Sequence, residues 1–434
     1  MAEPLRIALA GLGTVGGGVI RLIEANGALI ARRAGRPLEI VAVCARDRAR
    51  DRGVDLARYA WEDDMALLAE RADVDVVVEL VGGADGPALA LARRTLAANK
   101  GLVTANKAMI AHHGMELAQA AEQANDSLGA PLKFEAAVAG GIPVIKGLRE
   151  GAAANQVSRI YGILNGTCNY ILSTMERSGR DFAEVLGEAQ DLGYAEADPS
   201  FDIDGVDAAH KLAILAAIAF GGRIDLDAME VSGIARIRAA DIAQAAALGY
   251  VIRLIGLADC DDLGLFQRVQ PCLVPREHPL AAVDGPTNAV VVEGNYSGRL
   301  LFQGAGAGDG PTASAVVADL IDIARGDTGL PFSVPVADLA KLPAADSGRR
   351  RARSYLRFTV TDRPGVLAEI TAAMRDAGVS IESLIQQGRP EEGGEVLVAM
   401  VTHDGPESRV AHALELLEGS DSLTEPPLVM PLLA

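Results

Sequence analysis

Short apolar runs alternate with helical patterns along the first part of the chain. The apolar runs lie at 5–10, 38–44, 74–80 and 101–104, and helical patterns begin at Thr14 and Pro87. This alternation predicts βαβ units joined into a parallel sheet. The run at 74–80 is apolar almost throughout, which is typical of strands that helices cover on both faces. We therefore expect a doubly wound α/β sheet in residues 1–134.

The pattern changes near Phe134, where a Gly-rich stretch precedes longer amphipathic helices and widely spaced strands. Strands are predicted at 289–293 and 299–302. We expect residues 135–310 to form a second, α+β domain. A helix at 311–325, with Pro311 in its first turn, is expected to return to the first domain and complete it.

Residues 341–353 are polar, contain Gly and Pro, and show no periodicity, which predicts a solvated linker between domains. The segment 354–434 then shows most of a βαββαβ ferredoxin-like unit. Its predicted strands lie at 355–360, 379–385 and 395–401, and its predicted helices at 365–376 and 407–417. The fourth strand is expected at 428–433, where Pro431 favours an edge position.

The chain has 434 residues, enough for two to four domains, with 50% hydrophobic and 23% charged residues. Its formal net charge of −18 argues against a nucleic-acid partner or an anionic membrane surface. The four cysteines are far apart and form no C-x-x-C pair, which favours reduced thiols. The sequence shows neither a signal peptide nor an apolar stretch of about 18 residues, so we expect a cytoplasmic protein with no membrane partner.

A glycine-rich motif follows the first predicted strand and opens the first predicted helix. It reads Gly11, Leu12, Gly13, Thr14, Val15, Gly16. In this position a G-x-G-x-x-G motif predicts a Rossmann-type dinucleotide site, with a tight turn at Gly11, approach to the pyrophosphate at Gly13, and close packing of helix and strand at Gly16. The diphosphate would lie at the positive end of the helix.

The end of the second strand bears on the choice of cofactor. NAD-binding sites normally have an acidic residue there, whereas this chain has Arg46 followed by Asp47. A guanidinium group can hold a 2′-phosphate through paired hydrogen bonds, so the sequence favours NADP. Asp47 leaves NAD open as an alternative.

Acidic residues are most dense between Gly193 and Lys211. A helix is predicted to begin at Asp204 or Gly205, which places Asp207 and Lys211 at positions i and i+4 on one face. Such pairs are common on solvated helices, but the rest of this helix is nearly all apolar and therefore expected to be buried. A buried ion pair beside further carboxylates favours a functional site.

In this region the chain resembles homoserine dehydrogenases, whose signature has the same Tyr-x-Glu-x-Asp-Pro-x-x-Asp, Gly-x-Asp, Lys order. Further blocks extend the resemblance over the whole chain, at residues 11–16, 104–107, 134–136, 140–143, 162–167, 306–308 and 311–313. The resemblance implies NAD(P)H-dependent interconversion of L-aspartate 4-semialdehyde and L-homoserine in threonine, methionine and isoleucine biosynthesis. It also implies that the second domain serves catalysis and dimerisation, in a homodimer or homotetramer.

The resemblance further implies roles for individual residues. Lys211 matches the acid/base lysine, Asp207 a supporting catalytic carboxylate, and Lys107 a lysine close to both nicotinamide and substrate. The implied substrate contacts are Glu196, which would bind the substrate ammonium, with Asp202, Tyr194 and Thr167. Gly308 matches a cofactor contact. The implied ligands of a monovalent cation such as sodium are Glu135, Val138, Gly140 and Ile142.

These assignments suit the substrate, since homoserine carries an ammonium, a carboxylate and a hydroxyl group. Glu196, Lys107 and Lys211, respectively, would recognise them. A charged Lys211 would stabilise and protonate the alkoxide that forms during reduction. Oxidation needs a neutral lysine, whose pKa would have to fall from about 10.4 to near 7, and Asp207 is expected to oppose that fall. We expect homoserine oxidation to be faster at high pH.

The segment 362–367 lies between the first strand and helix of the ferredoxin-like unit and resembles the signature turn of ACT domains. ACT domains commonly bind amino acids at paired interfaces. The resemblance implies a regulatory domain, and threonine, the end product of the pathway, is the expected effector.

Two alternatives remain open at this stage. Cys168, at a predicted helix start, is a candidate thiolate nucleophile of an aldehyde dehydrogenase, although a buried, unreactive cysteine is the more common situation. The second alternative is a sensor that binds NADP and an amino acid without turnover. The intact cluster of Lys211 and its neighbouring carboxylates argues against this alternative.

Overall fold

The structure is a computed structural model that describes residues 2–124, 130–327, 329–387 and 395–433. The first domain contains β1 (Leu5–Ala10), α1 (Thr14–Ala34), β2 (Leu38–Cys44), β3 (Ala60–Glu62), α2 (Ala66–Glu70), β4 (Val76–Glu79), α3 (Pro87–Ala97), β5 (Gly101–Thr104), α4 (Lys107–Gln123) and β6 (Leu132–Lys133). In the described part of the chain these strands form one parallel sheet in the order β3-β2-β1-β4-β5-β6. The predicted doubly wound fold is confirmed.

The second domain contains α5 (Val144–Lys146), β7 (Val157–Ile163), α6 (Gly166–Ser178), α7 (Phe182–Asp191), α8 (Ser200–Ile203), α9 (Val206–Phe220), β8 (Glu230–Val231), α10 (Ala239–Ala247), β9 (Tyr250–Asp261), β10 (Gly264–Pro275), β11 (Thr287–Gly294) and β12 (Gly298–Ala305). Over the described residues its sheet has the order β12-β11-β7-β9-β10-β8, and only the β10–β8 pair is parallel. Helices α6, α9 and α10 pack on this mixed sheet, so the α+β prediction is confirmed.

Helix α11 (Asp309–Arg325) follows and packs against α1. Val316 and Leu320 of α11 share a buried cluster with Val19 and Ile23 of α1. The chain therefore returns to the first domain after building the second sheet. This return closes the crevice between the two domains.

The carboxyl-terminal part contains β13 (Arg351–Ala352), β14 (Ser354–Thr361), α12 (Val366–Asp376), β15 (Ile381–Gln387), β16 (Glu395–Thr402), β17 (Gly405–Pro406), α13 (Glu407–Glu415) and β18 (Leu428–Pro431). In the described ranges its main sheet is antiparallel, in the order β15-β16-β14-β18, as in a ferredoxin-like fold. Pro431 pairs with Ser354 on an edge strand, as expected from its missing N–H. The second predicted strand of this unit, expected at 379–385, lies two residues later, at Ile381–Gln387.

The residues of the predicted linker, 341–353, are exposed or partly exposed, and several of them also contact the second domain. Pro343 accepts a hydrogen bond from the N–H of Leu265 at 2.8 Å. Arg350 binds the Asp259 carboxylate and lies over the ring of Phe266, 3.9 Å from its centroid. The arginines that suggested a solvated segment are held because the neighbouring strand offers a carboxylate and an aromatic face.

A buried ion pair also joins the ferredoxin-like unit to the second domain. Arg357 of β14 binds Asp241 of α10, and both side chains are almost fully buried. The hydroxyl group of Tyr355 donates to the other oxygen of Asp241 at 2.9 Å. Removing one partner of such a pair leaves an uncompensated buried charge, so this junction depends on both. No helix among the described residues has the length and apolar character needed to cross a membrane.

Candidate active site

A cavity of about 260 Å³ lies where the carboxyl ends of β1 and β4 meet the second domain. Strand order reverses between these two strands, which is the usual position of a ligand crevice in an open α/β sheet. Val15 of the glycine-rich loop, Lys107 and Lys211 line the cavity, together with Gly140 and Thr312. Residues predicted separately for cofactor and for chemistry thus face one space.

Two of the three motif glycines meet steric constraints, and the third borders open space. Gly11 has a φ of +99°, and a Cβ there would lie 2.7 Å from the carbonyl oxygen of Leu80. A Cβ at Gly16 would lie 2.1 Å from the oxygen of Gly11, so only glycine permits this approach. A Cβ at Gly13 would meet nothing within 4 Å, and Gly13 directly precedes Thr14, the first residue of α1. This arrangement fits a pyrophosphate at the open helix terminus.

The loop after β2 is rich in arginine and borders the glycine-rich motif. Arg46 is exposed there. Asp47 is engaged within the loop, where Oδ1 accepts from the backbone N–H of Ala49 at 2.8 Å. Arg52 donates from Nε to the carbonyl oxygen of Leu12 at 2.9 Å. Sequence reasoning did not identify Arg52, because it lies 40 residues beyond the motif that it contacts.

Helix α9 begins after Gly205 and is buried along most of its length. On it, Lys211 Nζ donates to Asp207 Oδ2 at 2.7 Å, as the i, i+4 spacing predicts. Lys107 Nζ, from the first turn of α4, lies 2.6 Å from Asp207 Oδ1. One carboxylate, 2% exposed, therefore holds two ammonium groups from two domains.

A second ring of polar groups orients this cluster. Asn165 Nδ2 donates both to Asp207 Oδ2 at 2.8 Å and to Asp202 Oδ1 at 2.7 Å. The carbonyl oxygen of Leu164 accepts from Lys211 Nζ at 2.8 Å. The sequence had placed 162–167 in a family block without assigning a role to Asn165. Its side chain also caps α6 by accepting from the N–H of Cys168, so one residue starts the helix and positions two carboxylates.

The predicted substrate contacts Thr167, Tyr194 and Asp202 lie together. Thr167 Oγ1 donates to the carbonyl oxygen of Tyr194 at 2.8 Å and lies 3.4 Å from Asp202 Oδ2. The ring of Tyr194 packs against Tyr170, with centroids 4.7 Å apart. Glu196 stands apart from this group on an exposed loop, where its carbonyl oxygen accepts from Gln190 Nε2.

Burial and charge oppose each other at the centre of the site. Burial tends to raise the pKa of Asp207, but the ammonium groups of Lys211 and Lys107 outweigh it and hold that pKa well below its usual range. For Lys211, burial is the larger effect and lowers the pKa, although Asp207 acts in the opposite direction. The sequence-based argument included only the effect of Asp207, because the depth of burial of α9 depends on the assembled domains.

An aromatic layer that the sequence did not indicate lies beside the lysines. Lys107 Nζ is 5.5 Å from the ring centroid of Phe201. His210 contacts the rings of Phe201 and His112, with centroids 5.6 and 5.1 Å away. Burial and the neighbouring His112 lower the pKa of His210 to about 4, so its ring is neutral at pH 7. The neutral ring of His210 therefore adds no charge near Asp207.

Cys168 is buried and is not placed as a nucleophile. Its side chain has no exposed surface, and its Sγ lies 3.2 Å from the carbonyl oxygen of Asp202. Burial, reinforced by the charges of Asp202 and Asp207, raises the pKa of the thiol well above its ordinary value. A thiolate is therefore disfavoured, which counts against the aldehyde dehydrogenase alternative.

The loop predicted to bind a monovalent cation contains a buried carboxylate. Glu135 is 2% exposed, and its two oxygens accept from the N–H groups of Ile145 and Lys146 at 3.0 and 2.9 Å. Burial and the nearby Asp319 raise the pKa of Glu135 to about 7. Gly140 has a φ of +51° and turns the loop that carries Val138 and Ile142. Gly308 begins α11 with a φ of +120°.

Three family models match this chain. The model described as "Homoserine dehydrogenase, NAD binding domain" matches residues 11–130, the model described as "Homoserine dehydrogenase" matches 143–321, and the ACT domain model matches 354–419. The homoserine dehydrogenase of Pseudomonas aeruginosa is 44% identical, over 98% of this chain and 98% of its own length.

Solved structures agree with these matches. The crystal structure of a homoserine dehydrogenase from Thiobacillus denitrificans has a TM-score of 0.91 and 40% identity, and covers 99% of this chain and 98% of that one. A hyperthermophilic archaeal homoserine dehydrogenase, in complex with NADPH, has a TM-score of 0.62 and 25% identity. It covers 74% of this chain and 97% of its own.

Proposed function

The chain belongs to the homoserine dehydrogenase family. We propose how its residues interconvert L-aspartate 4-semialdehyde and L-homoserine, and that this reaction serves threonine, methionine and isoleucine biosynthesis. It is an oxidoreductase acting on a CH–OH group, with a nicotinamide cofactor. The observation that carries the proposal is the convergence of Lys211 and Lys107 on the buried carboxylate of Asp207. Neither alternative is favoured, because Cys168 is buried and the proton-transfer cluster is intact.

Lys211 is the proton donor and acceptor in this proposal. An ammonium group has three N–H donors, and two of them are used on Asp207 and Leu164. The third is left for a substrate oxygen in the cavity that Lys211 lines. During reduction the ammonium stabilises the developing alkoxide and protonates it. During oxidation the burial of Lys211 favours the neutral amine that must accept the proton.

The other substrate groups are assigned by charge. Lys107 is 34% exposed and keeps N–H donors for the substrate carboxylate while it remains paired with Asp207. Glu196 binds the substrate ammonium from its exposed loop, and Thr167 and Tyr194 connect that loop to the cluster. Asp202 holds Asn165, which in turn holds Asp207. Glu196 is thus a contact made on binding rather than part of the preformed network.

We further propose NADP as the preferred cofactor, bound over Gly11, Gly13, Thr14, Val15 and Gly16. The bound cofactor donates or accepts hydride. Arg46 is exposed at the end of β2 for a 2′-phosphate, whereas Asp47 is occupied by backbone N–H groups of its own loop. Gly308, at the start of α11, supplies a backbone N–H near the cavity wall formed by residues 306 and 307.

A monovalent cation such as sodium fits the loop of Glu135 in this proposal. Hard oxygen ligands suit such an ion, and the carbonyl oxygens of Val138, Gly140 and Ile142 with the Glu135 carboxylate would supply them. The raised pKa of Glu135 reflects buried negative charge beside Asp319 that a cation would offset. The cation would brace the loop that lines the cofactor cavity at Gly140.

The ACT domain is proposed to bind threonine as a feedback effector. Asp362 is exposed in the turn before α12, where Gly365 has a φ of +100°. Arg350 and Arg357 join this domain to the second domain through Asp259 and Asp241, so a change in the ACT domain has a direct physical route to α10. Since ACT domains commonly pair, we also propose a homodimer or homotetramer. The free thiols among the described residues support a cytoplasmic location.

The first test is the pH dependence of Asp207→Asn. Because Asp207 raises the pKa of Lys211, removing its charge lowers that pKa further, and the rise of homoserine oxidation should move to lower pH. Reduction of the semialdehyde at pH 7 should fall, since less Lys211 is charged. Lys211→Ala should lose about 10²–10⁴-fold in kcat. Asp191→Asn, at an exposed position, is the control and should keep the wild-type pH profile. An unchanged profile in Asp207→Asn would contradict the proton-transfer role of Lys211.

Glu196→Gln should raise KM for homoserine about tenfold or more, because a charge-assisted hydrogen bond to the substrate ammonium is lost. Its kcat should change little, since Glu196 is not joined to Lys211. Steady-state kinetics with the matched variant Glu184→Gln, on α7, provide the control. Equal KM values in the two variants would assign ammonium binding to another residue.

Arg46→Ala should lower kcat/KM for NADP about tenfold or more while leaving that for NAD nearly unchanged, because only NADP offers a 2′-phosphate. Homoserine-dependent reduction of each cofactor measures the ratio. Arg32→Ala, exposed near the end of α1, is the control. Parallel losses with both cofactors would argue against phosphate recognition by Arg46.

Glu135→Gln should remove any stabilisation that is specific to sodium. Wild-type protein is expected to melt at a higher temperature in sodium chloride than in choline chloride of equal ionic strength, because only sodium binds the folded loop. The difference should vanish in Glu135→Gln and persist in the exposed control Glu150→Gln. Identical melting of the wild type in both salts would refute the cation site.

Threonine should inhibit the wild type, and Asp362→Ala should lose that inhibition while keeping its kcat. Asp376→Ala, exposed at the other end of α12, should keep both. A point variant is preferable to deletion from Arg349 onward, since deletion would leave Asp241 buried without Arg357. Full threonine sensitivity in Asp362→Ala would place the effector elsewhere.

A further inference from the structure

We propose that a second cavity, between the second domain and the ACT domain, binds a small carboxylate with an aliphatic body. The cavity has a volume of about 290 Å³ and is lined by β9 and β10, by residues 350–353, and by the chain end at 431–433. Lys107 and Lys211 belong to a separate cavity. This second site does not depend on the proposed threonine effect, and the turn at Asp362 does not line it.

The floor of this cavity is apolar. It is formed by the buried side chains of Ile255, Cys272 and Leu433, which are 1%, 6% and 5% exposed, respectively. The largely buried ring of Phe266 and the partly buried side chain of Leu257 complete it. Burial raises the pKa of the Cys272 thiol to about 12, so it is uncharged. A pocket of this size with an apolar floor suits the aliphatic part of a small metabolite.

The walls are rich in arginine, and Arg268, Arg350, Arg351 and Arg353 each pair with a carboxylate. Among the described residues that line the cavity, five are arginines and only Asp404 and Glu407 are carboxylates. Arg353 Nε is buried and has no hydrogen-bond partner among the described residues, although its other nitrogens bind Tyr250 and Glu382. A buried donor without a partner is rare in folded proteins and calls for an acceptor.

Two further arginines keep donors available. Arg350 binds Asp259 through Nη1, while Arg268 binds Glu230 through Nε at 2.7 Å and Glu407 through Nη1 at 2.8 Å. The contacts among the described residues leave Nη2 of both guanidinium groups unused. Arginine donors above an apolar floor recognise a carboxylate that carries an aliphatic body.

Ligand binding here would respond to the position of the ACT domain, because that domain builds part of the cavity. Arg268 of β10 is paired with Glu407, the first residue of α13. Leu433 donates its backbone N–H to the oxygen of Leu273 at 2.8 Å. A ligand that contacts both the second domain and the ACT domain would stabilise their contact. By the same factor, that contact would raise the affinity for the ligand.

The test uses 3-methylbutanoate and its uncharged isostere 3-methylbutanamide, titrated calorimetrically into the full-length protein. The carboxylate should bind and the amide should not. Arg350→Gln should weaken carboxylate binding about tenfold or more, whereas Arg375→Gln, an exposed arginine of the ACT domain outside the cavity, should bind normally. Titration with leucine and with 4-methyl-2-oxopentanoate then distinguishes an amino-acid ligand from a keto-acid ligand. Tighter binding of either compound than of 3-methylbutanoate supports the site.

Leu257→Trp provides a second, independent variant, because it fills the cavity without removing a charge. It should abolish carboxylate binding while leaving homoserine oxidation and the melting temperature nearly unchanged. Equal binding of acid and amide would overturn the proposal. So would wild-type affinity in both Arg350→Gln and Leu257→Trp, or displacement of the carboxylate by homoserine, which would place it in the active site.

Discussion

The buried carboxylate of Asp207 is the constraint on which the active site depends. A carboxylate in this position is costly unless it is paired, and its partners come from different domains, Lys107 from α4 and Lys211 from its own helix. Asp207 therefore joins the first domain to the second at the site proposed for the reaction. The ion pairs also explain why both lysines project into a single cavity, since each approaches one oxygen of the same carboxylate.

The helix that carries Asp207 and Lys211 determines their protonation as well as their position. Because α9 is packed on the second sheet, it removes water from Lys211 and lowers the pKa, while the adjacent carboxylate limits how far that pKa falls. The uncharged amide of Asn165 holds this carboxylate by a hydrogen bond. The nearby ring of His210 is neutral at pH 7 and adds no charge of its own. The acid/base role proposed for Lys211, in both directions of the reaction, needs this balance.

The ACT domain is attached through buried contacts rather than a free tether. The Arg357–Asp241 pair and the Arg268–Glu407 pair both cross the junction, and the chain end at 431–433 lies against the second sheet. Helix α10, which holds Asp241, packs on the same sheet strand, β9, as the catalytic helix α9. A movement of the ACT domain would therefore reach the sheet that supports the helix of Asp207, which is the route that the proposed regulation requires.

The sequence alone determined the features that arise from local periodicity and spacing. These were the alternation of strands and helices, the glycine-rich turn, and the Asp207–Lys211 pair, whose i, i+4 spacing requires only that α9 be a helix. Tertiary structure decided the rest. It brought Lys107 and Asn165 to Asp207, placed the arginine-rich segment 341–353 against the second domain, and formed the cavity under Arg350. Such contacts, and the pKa of Lys211, depend on burial summed over elements that are distant in the chain.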